Sequence, residues 1–156
     1  MSKGHRRILF LCTGNSARSQ MAEAILRNLA AGGVEVESAG SQPQPEIHPL
    51  ARRAVADLFG LDMAGQRPKS LDTMLGQTFD CVISVCDRAA AACPVFPGNP
   101  QRIRWSLEDP AGVSGTEDQR VRAFEATAKD LAERIRGWLA RESFPRAAPD
   151  SPRRSD

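Results

Sequence analysis

No stretch of this 156-residue chain holds the roughly 18 consecutive apolar residues that a membrane-spanning helix needs. The apolar run Ile8 to Cys12 is too short for the core of a secretory signal, and the residues before it are polar and basic. A cytoplasmic location is therefore expected. There is no C-x-x-C pair, and histidine occurs only as His5 and His48, which weighs against a zinc site. An excess of charge of one sign is nearly absent as well: the formal net charge is +2, too small to imply a nucleic-acid partner. Part of the basic excess sits at the two ends, in Lys3, Arg6 and Arg7 and in Arg146, Arg153 and Arg154, and reads as a solvated surface. No internal repeat is visible. Structural disulfides are not expected either, because four cysteines in a reducing compartment are reduced, catalytic or simply buried.

What is present suits an ordinary globular chain, with 41% hydrophobic and 26% charged residues. The length predicts one domain over 1–143, able to bury a core without staples, followed by a Pro- and Arg-rich tail at 144–156 expected to be disordered. Arg7 to Cys12 reads as a buried strand, Ser19 to Ala31 as a helix and Val34 to Ser38 as a half-exposed strand. The segment 39–47, with Gly40, Pro43 and Pro45, reads as a loop, and Pro49 opens a helix that Gly60 stops. Ser70 is placed to cap a short helix through Leu75. Asp80 to Cys86 and Ile103 to Leu107 are further strands. Thr116 and Gln119 have capping-box spacing ahead of a long helix whose apolar residues recur at steps of three and four. Strands alternating with helices predict an α/β fold with a mostly parallel sheet, whose sites form at the carboxyl ends of the strands. Cys12 and Cys86 each end a strand, so both are expected at one crevice.

The segment "LCTGNSARSQMAEA" orders a thiol, a turn, a guanidinium and a helix start. A thiol reacts as its thiolate, and a helix N-terminus and a nearby arginine both favour that form, so a lowered Cys12 pKa is expected. The backbone N–H groups of Thr13, Gly14, Asn15, Ser16 and Ala17 can converge on a tetrahedral oxyanion, which Arg18 can grip through two oxygens at once. Ser19 can donate its hydroxyl to the thiolate or cap the helix. An attack by Cys12 on a tetrahedral centre calls for an acid to protonate the leaving oxygen. Asp109, held extended by Pro110, is the first choice and Glu108 the second. Of the other cysteines, Cys81 shares a strand face with Ile83 and Val85 and reads as core. Cys86 and Cys93 are either a dithiol pair or two unrelated buried thiols. As a pair, they would need the Ala-rich segment between them to unwind or bend.

"CTGNSARSQMAEA", together with "SAG" at 38–40 and "WSLEDP" at 105–110, resembles the low-molecular-weight protein tyrosine phosphatases and the arsenate reductases built on that fold. The resemblance spans about residues 7 to 140. It implies a three-layer α/β/α architecture with a central, mostly parallel four-stranded sheet, and it assigns the general acid to Asp109. Ala17 departs from the phosphatases, which usually carry a second cysteine there. The C-x6-C spacing of Cys86 and Cys93 is similar to that of thioredoxin-coupled arsenate reductases. It implies a relay in which Cys12 attacks arsenate, Cys86 attacks Cys12, and Cys93 attacks Cys86 to leave a disulfide for thioredoxin. Phosphate or sulfate would serve as arsenate analogues, no tightly bound cofactor is implied, and a monomer is expected. Some relatives bind potassium near the loop through an Asn, a Glu, a Ser and an Asp. Asn15, Glu23 and Ser38 match, but Ser70 stands at the Asp position, so no metal is expected.

The phosphatases tend to stack a phosphotyrosine on aromatic residues. This chain has no tyrosine, and Ala111 and Gly112 follow its Asp-Pro, which favours a small free oxyanion. A thioredoxin-dependent arsenate reductase is thus the leading expectation. The alternatives are a low-molecular-weight phosphatase working through a phosphocysteine, an oxyanion-binding or arsenical-sensing module without turnover, and a reductase fed by glutathione or mycothiol.

Overall fold

The run Ile8 to Cys12 is apolar at every position because its strand is buried on both faces, as the centre of a parallel sheet must be. This strand, β1 (Arg6–Cys12), pairs in parallel with β2 (Val34–Gly40) on one side and β3 (Cys81–Ser84) on the other. β3 pairs in parallel with β4 (Gln101–Arg104), giving the order β2-β1-β3-β4. The computed structural model describes residues 6–30, 32–91 and 93–142, so the tail expected at 144–156 lies outside the described residues. Among the described residues there are four helices: α1 (Arg18–Ala30), α2 (Pro49–Phe59), α3 (Asp87–Ala91) and α4 (Glu117–Glu142). Short 3-10 turns lie at Leu71–Met74 and Pro110–Gly112.

The strand order places the site. From β1 the chain crosses through α1 to β2 in one lateral direction, and from β3 it crosses through α3 to β4 in the other. Right-handed crossovers in opposite directions put α1 and α3 on opposite faces and open a crevice between the carboxyl ends of β1 and β3. Cys12 ends β1, and Cys86 lies two residues beyond β3. The helices α1, α2 and α4 pack on one another.

Local chemistry explains the ends of the helices. His48 caps α2 by accepting the Leu50 amide on Nδ1 at 3.1 Å, Pro49 supplies the preset first turn, and Gly60 closes the helix at φ 68°. Thr116 and Gln119 exchange reciprocal hydrogen bonds of 2.8 and 3.1 Å, as their spacing predicted. The stripe Val121, Phe124, Ala128, Leu131, Ile135 and Trp138 is buried along α4.

Three boundaries differ from the sequence expectations. β2 continues through Ala39 to Gly40 instead of breaking at 39, because the Gly40 amide donates to Lys69 O at 2.9 Å and Gly40 bridges to Ser70. β3 is shorter than Asp80–Cys86, although Asp80 and Val85 still donate to β1. β4 lies earlier than Ile103–Leu107. The apolar signal there came from Trp105 and Leu107, which follow the strand: Trp105 turns inward and sets its ring 6.3 Å from that of Phe10. The exposed, Arg-rich edge strand itself carries little hydrophobic pattern.

Cys81 is core, as expected, and burial, aided by the charges of Glu142 and Asp80, pushes its thiol up to about 12. Above the ordinary value near 9 the unfolded chain releases this proton while the folded chain keeps it, so stability is lost as pH rises from about 9 to 12. Cys81→Ala should remove that loss. In urea unfolding at pH 8, 9.5 and 11, the parent's stability should fall by at most about 1.4 kcal/mol per pH unit more steeply than the variant's.

Candidate active site

The loop after β1 turns back on itself at Asn15, whose backbone is left-handed with φ 50°, a conformation asparagine tolerates better than most residues. That turn aims the Asn15 amide at Cys12 Sγ, 3.2 Å away. The Asn15 side chain has a forced orientation. Its Oδ1 accepts the Lys69 backbone amide at 2.7 Å, so its Nδ2 donates to Ser19 Oγ at 2.7 Å and to Ser38 Oγ at 3.0 Å. With its oxygen already accepting from Asn15, Ser19 can turn its own hydrogen toward Cys12 Sγ, 2.8 Å distant. Ser19 therefore serves the sulfur and does not cap the helix: α1 already begins at Arg18.

Gly40 packs directly beneath this loop. A Cβ there would overlap Thr13 O and stand 3.0 Å from Asn15 N and Asn15 Cβ, all of them parts of the loop. Gly40→Ala should displace the loop, cost on the order of 1–3 kcal/mol of stability and weaken phosphate binding at least tenfold. Calorimetric titration with phosphate beside a thermal melt would check both. A variant that lost stability but bound phosphate normally would show that the loop accommodates the methyl group.

Arg18 opens α1 with its side chain 11% exposed. Its Nη1 donates to Leu107 O at 2.8 Å and its Nη2 lies 3.9 Å from Asp109 Oδ2, so the guanidinium ties the Asp109-Pro110 segment to the loop. The other Asp109 oxygen accepts the Ala111 amide at 3.0 Å, and its side chain remains about half exposed (53%). One cavity of about 1120 Å³ is lined by Cys12, the whole turn 13–17, Arg18, Cys86 and Asp109. A buried Cys86 faces it, with Sγ 3.6 Å from Thr13 Oγ1 and the Ala89 amide donating to that sulfur at 3.4 Å. Cys93 does not line it. It is half-buried beyond α3, and its sulfur accepts Arg102 Nη1 at 2.9 Å. All four cysteines are free.

The structure corrects one electrostatic expectation. Cys12 is 3% exposed, and burial pushes its thiol up; the Ser19 hydrogen bonds, the Arg18 charge and the Asn15 amide only offset this in part. A sequence shows the favourable donors but not the removal of water that opposes them. A thiol disfavoured as thiolate in this way would pass its proton to a docking oxyanion dianion, which is itself a base.

Asn15, Ser38 and Glu23 do come together, but as a chain closed on itself. Ser38 Oγ donates to Glu23 Oε1 at 2.6 Å, Arg27 Nη2 sits 2.5 Å from Glu23 Oε2, and Lys69 Nζ lies 4.0 Å from Glu23 Oε1. With two side-chain cations on its carboxylate, this trio does not fit an added metal ion. Among the described residues no three His, Cys, Asp or Glu side chains gather as a metal site.

Sequence reasoning missed several contributors. Gln20 is fully buried and donates to Asn15 and to Arg67 O, Lys69 orients Asn15, and Leu107 holds Arg18 through its carbonyl. Their side chains carry no nucleophile or acid, and two act through backbone atoms, so no motif marks them. His48 and Gln44 line the cavity wall in a segment read only as loop and helix start.

A thiol in a cavity lined by a tight turn, with a forked cation and a carboxyl group nearby, can make and break bonds at a tetrahedral oxyanion. Known proteins are similar to this chain in sequence and fold. An arsenate reductase of Halalkalibacterium halodurans is 36% identical over 129 residues, 83% of this chain and 91% of that protein. Among solved structures, an arsenate reductase in an oxidised state superposes with a TM-score of 0.74 at 29% identity, covering 87% of this chain and 98% of the other. A thioredoxin-dependent arsenate reductase of Corynebacterium glutamicum superposes with a TM-score of 0.62 at 29% identity, covering 88% of this chain and 65% of the other. The family profile for low molecular weight phosphotyrosine protein phosphatases matches residues 7–146, which takes in every element of the site, and the chain belongs to that family.

Proposed function

We propose that this protein reduces arsenate to arsenite by a three-thiol relay, as a monomer in the cytoplasm, with thioredoxin as electron donor. The observation that carries this reading is the second thiol in the oxyanion cavity: Cys86 lines the same space as Cys12, Arg18 and Asp109. Phosphate-ester hydrolysis has no use for it. The arsenate reductase names of the relatives support the substrate, and the thioredoxin-dependent neighbour supports the donor.

Arsenate sits in the nest of residues 13–17 with two oxygens on Arg18. Cys12 sulfur attacks arsenic, and one oxygen leaves as water, protonated from Asp109. Cys86 thiolate then attacks Cys12 Sγ. The electron pair of the S–As bond stays on arsenic, which leaves as arsenite, and a Cys12–Cys86 disulfide forms. Cys93 thiolate attacks Cys86, expelling Cys12 thiolate, and the Cys86–Cys93 disulfide passes to the thioredoxin dithiol. Two thiols are oxidised and one arsenic is reduced by two electrons, so the account balances. Every group up to the Cys86–Cys93 disulfide lies in one chain.

The family assignment favours a second reading, hydrolysis of phosphate monoesters through a phosphocysteine. NADPH oxidation in the presence of thioredoxin, thioredoxin reductase and arsenate separates the two. Arsenate-dependent turnover supports the relay. Its absence, alongside hydrolysis of a chromogenic phosphate ester, would make the protein a phosphatase. Turnover with glutathione or mycothiol in place of thioredoxin would overturn the donor alone.

A further inference from the structure

The two relay thiols outside the loop face different ways. Cys86 Sγ points into the cavity toward Thr13, whereas Cys93 Sγ points at Arg102 on β4. A disulfide between them needs their Cα atoms within about 7 Å. The Ala90 amide donates to Cys86 O and the Cys93 amide to Ala90 O, so the two lie seven residues apart along helically wound backbone, about 10 Å at 1.5 Å per residue, and α3 must open first. Little in α3 itself resists opening. It has five residues, far below the length at which a helix is stable alone, and Ala89 is its one buried residue.

What holds the segment is at its two ends, and an arginine of the edge strand takes part in each hold. At the start, Arg104 donates through Nε at 3.2 Å and Nη2 at 3.1 Å to Asp87 Oδ1, which also accepts Ser106 Oγ at 2.5 Å. At the far end, Arg102 spans Cys93 and Pro94 with one guanidinium: Nη1 donates to Cys93 Sγ at 2.9 Å and Nη2 to Pro94 O at 3.2 Å. Arg102 and Arg104 are two residues apart on β4 and so project from the same face of the sheet. They reach opposite ends of one segment.

We propose that Arg102 and Arg104 are positioning residues of the relay, forming a two-point latch that keeps α3 closed and Cys93 turned away from Cys86 until the Cys12–Cys86 disulfide has formed. This rests on the relay proposed above. The latched step is the attack of Cys93 thiolate on Cys86 Sγ, which makes the Cys86–Cys93 bond, breaks Cys12–Cys86 and returns the electron pair to Cys12. The latch delays that step without joining in its chemistry. Because a guanidinium only donates, Cys93 sulfur can accept from Arg102 as thiol or as thiolate, but the bond is lost once that sulfur swings toward Cys86.

The test uses Arg102→Gln, Arg104→Gln, the double variant and Arg102→Lys in the full chain. One measurement needs no substrate: amide hydrogen exchange across residues 87–91 of the reduced protein. Each single variant should speed exchange there by about two- to five-fold, the span of one exposed, charge-assisted contact. Arg102→Lys, which can reach the sulfur or the carbonyl but not both, should fall between the parent and Arg102→Gln. The other measurement is a single turnover with one equivalent of arsenate, acid-quenched and mapped for disulfides. The ratio of Cys86–Cys93 to Cys12–Cys86 at early times should rise in the same order as the exchange rates. Unchanged exchange in the double variant would overturn the latch, as would a falling disulfide ratio, which would make the arginines promoters of the attack. If the parent forms no Cys86–Cys93 disulfide, the relay fails, and the exchange data still decide whether the arginines hold α3.

Discussion

Serine at position 93 is expected to leave one arsenite per protein molecule and then stop turnover. The first two bond exchanges of the proposed relay need only Cys12 and Cys86, which share the cavity. Cys93→Ser should therefore give a burst of about one equivalent of arsenite and accumulate protein with Cys12 and Cys86 joined. Thioredoxin would then face a disulfide at the floor of the cavity, where Cys12 and Cys86 are 3% and 5% exposed, and attack there is slow because a nucleophile must reach the sulfur in line. Steady-state NADPH oxidation should drop by at least about a hundredfold, while hydrolysis of a chromogenic phosphate ester stays near the parent's rate, because Cys93 lies outside the cavity. Steady turnover that survived the substitution would mean that the donor reduces Cys12–Cys86 directly, and the third thiol would leave the mechanism.

Arg18→Lys should cost about a thousandfold in kcat/KM with arsenate and with a phosphate ester alike. The charge is kept, so a simple field effect predicts little change. The loss comes from geometry. A guanidinium grips two oxyanion oxygens and still reaches Leu107 O at 2.8 Å, whereas an ammonium is a single point. Losing one preorganised donor to a developing oxyanion typically costs about 10²–10³, and here the tether to the Asp109 segment goes as well. Titration with phosphate and single-turnover rates separate the two effects: binding should weaken less than the rate falls. Equal losses in both would assign Arg18 to ground-state binding alone.

The parts read correctly from the sequence are those governed by neighbours along the chain. β1 follows from an unbroken apolar run, α2 from Pro49 and Gly60, and α4 from the Thr116–Gln119 box and its stripe. The segment from Cys12 to Arg18 holds a single tight turn between a strand end and a helix start, and that turn was legible before any coordinates. Strand β4 was misplaced because an edge strand is specified by its register with β3 and carries no buried alternation of its own.

Contacts across long stretches of chain settled the rest. That Cys86 shares the cavity with Cys12 was expected from two strand ends, but it is the order β2-β1-β3-β4 that sets those ends side by side; that Cys93 faces away depends on Arg102, nine residues later on an edge strand. The raised Cys12 thiol depends on the same packing, since the elements gathered around the end of β1 exclude water that the local turn alone would admit. Propensity and turn chemistry act over a few residues, so the order of residues prescribes the nucleophile's loop. Desolvation, and the meeting in one cavity of thiols 74 positions apart, are properties of the assembled sheet, because only its assembly decides which side chains lose their water and which come to face one another.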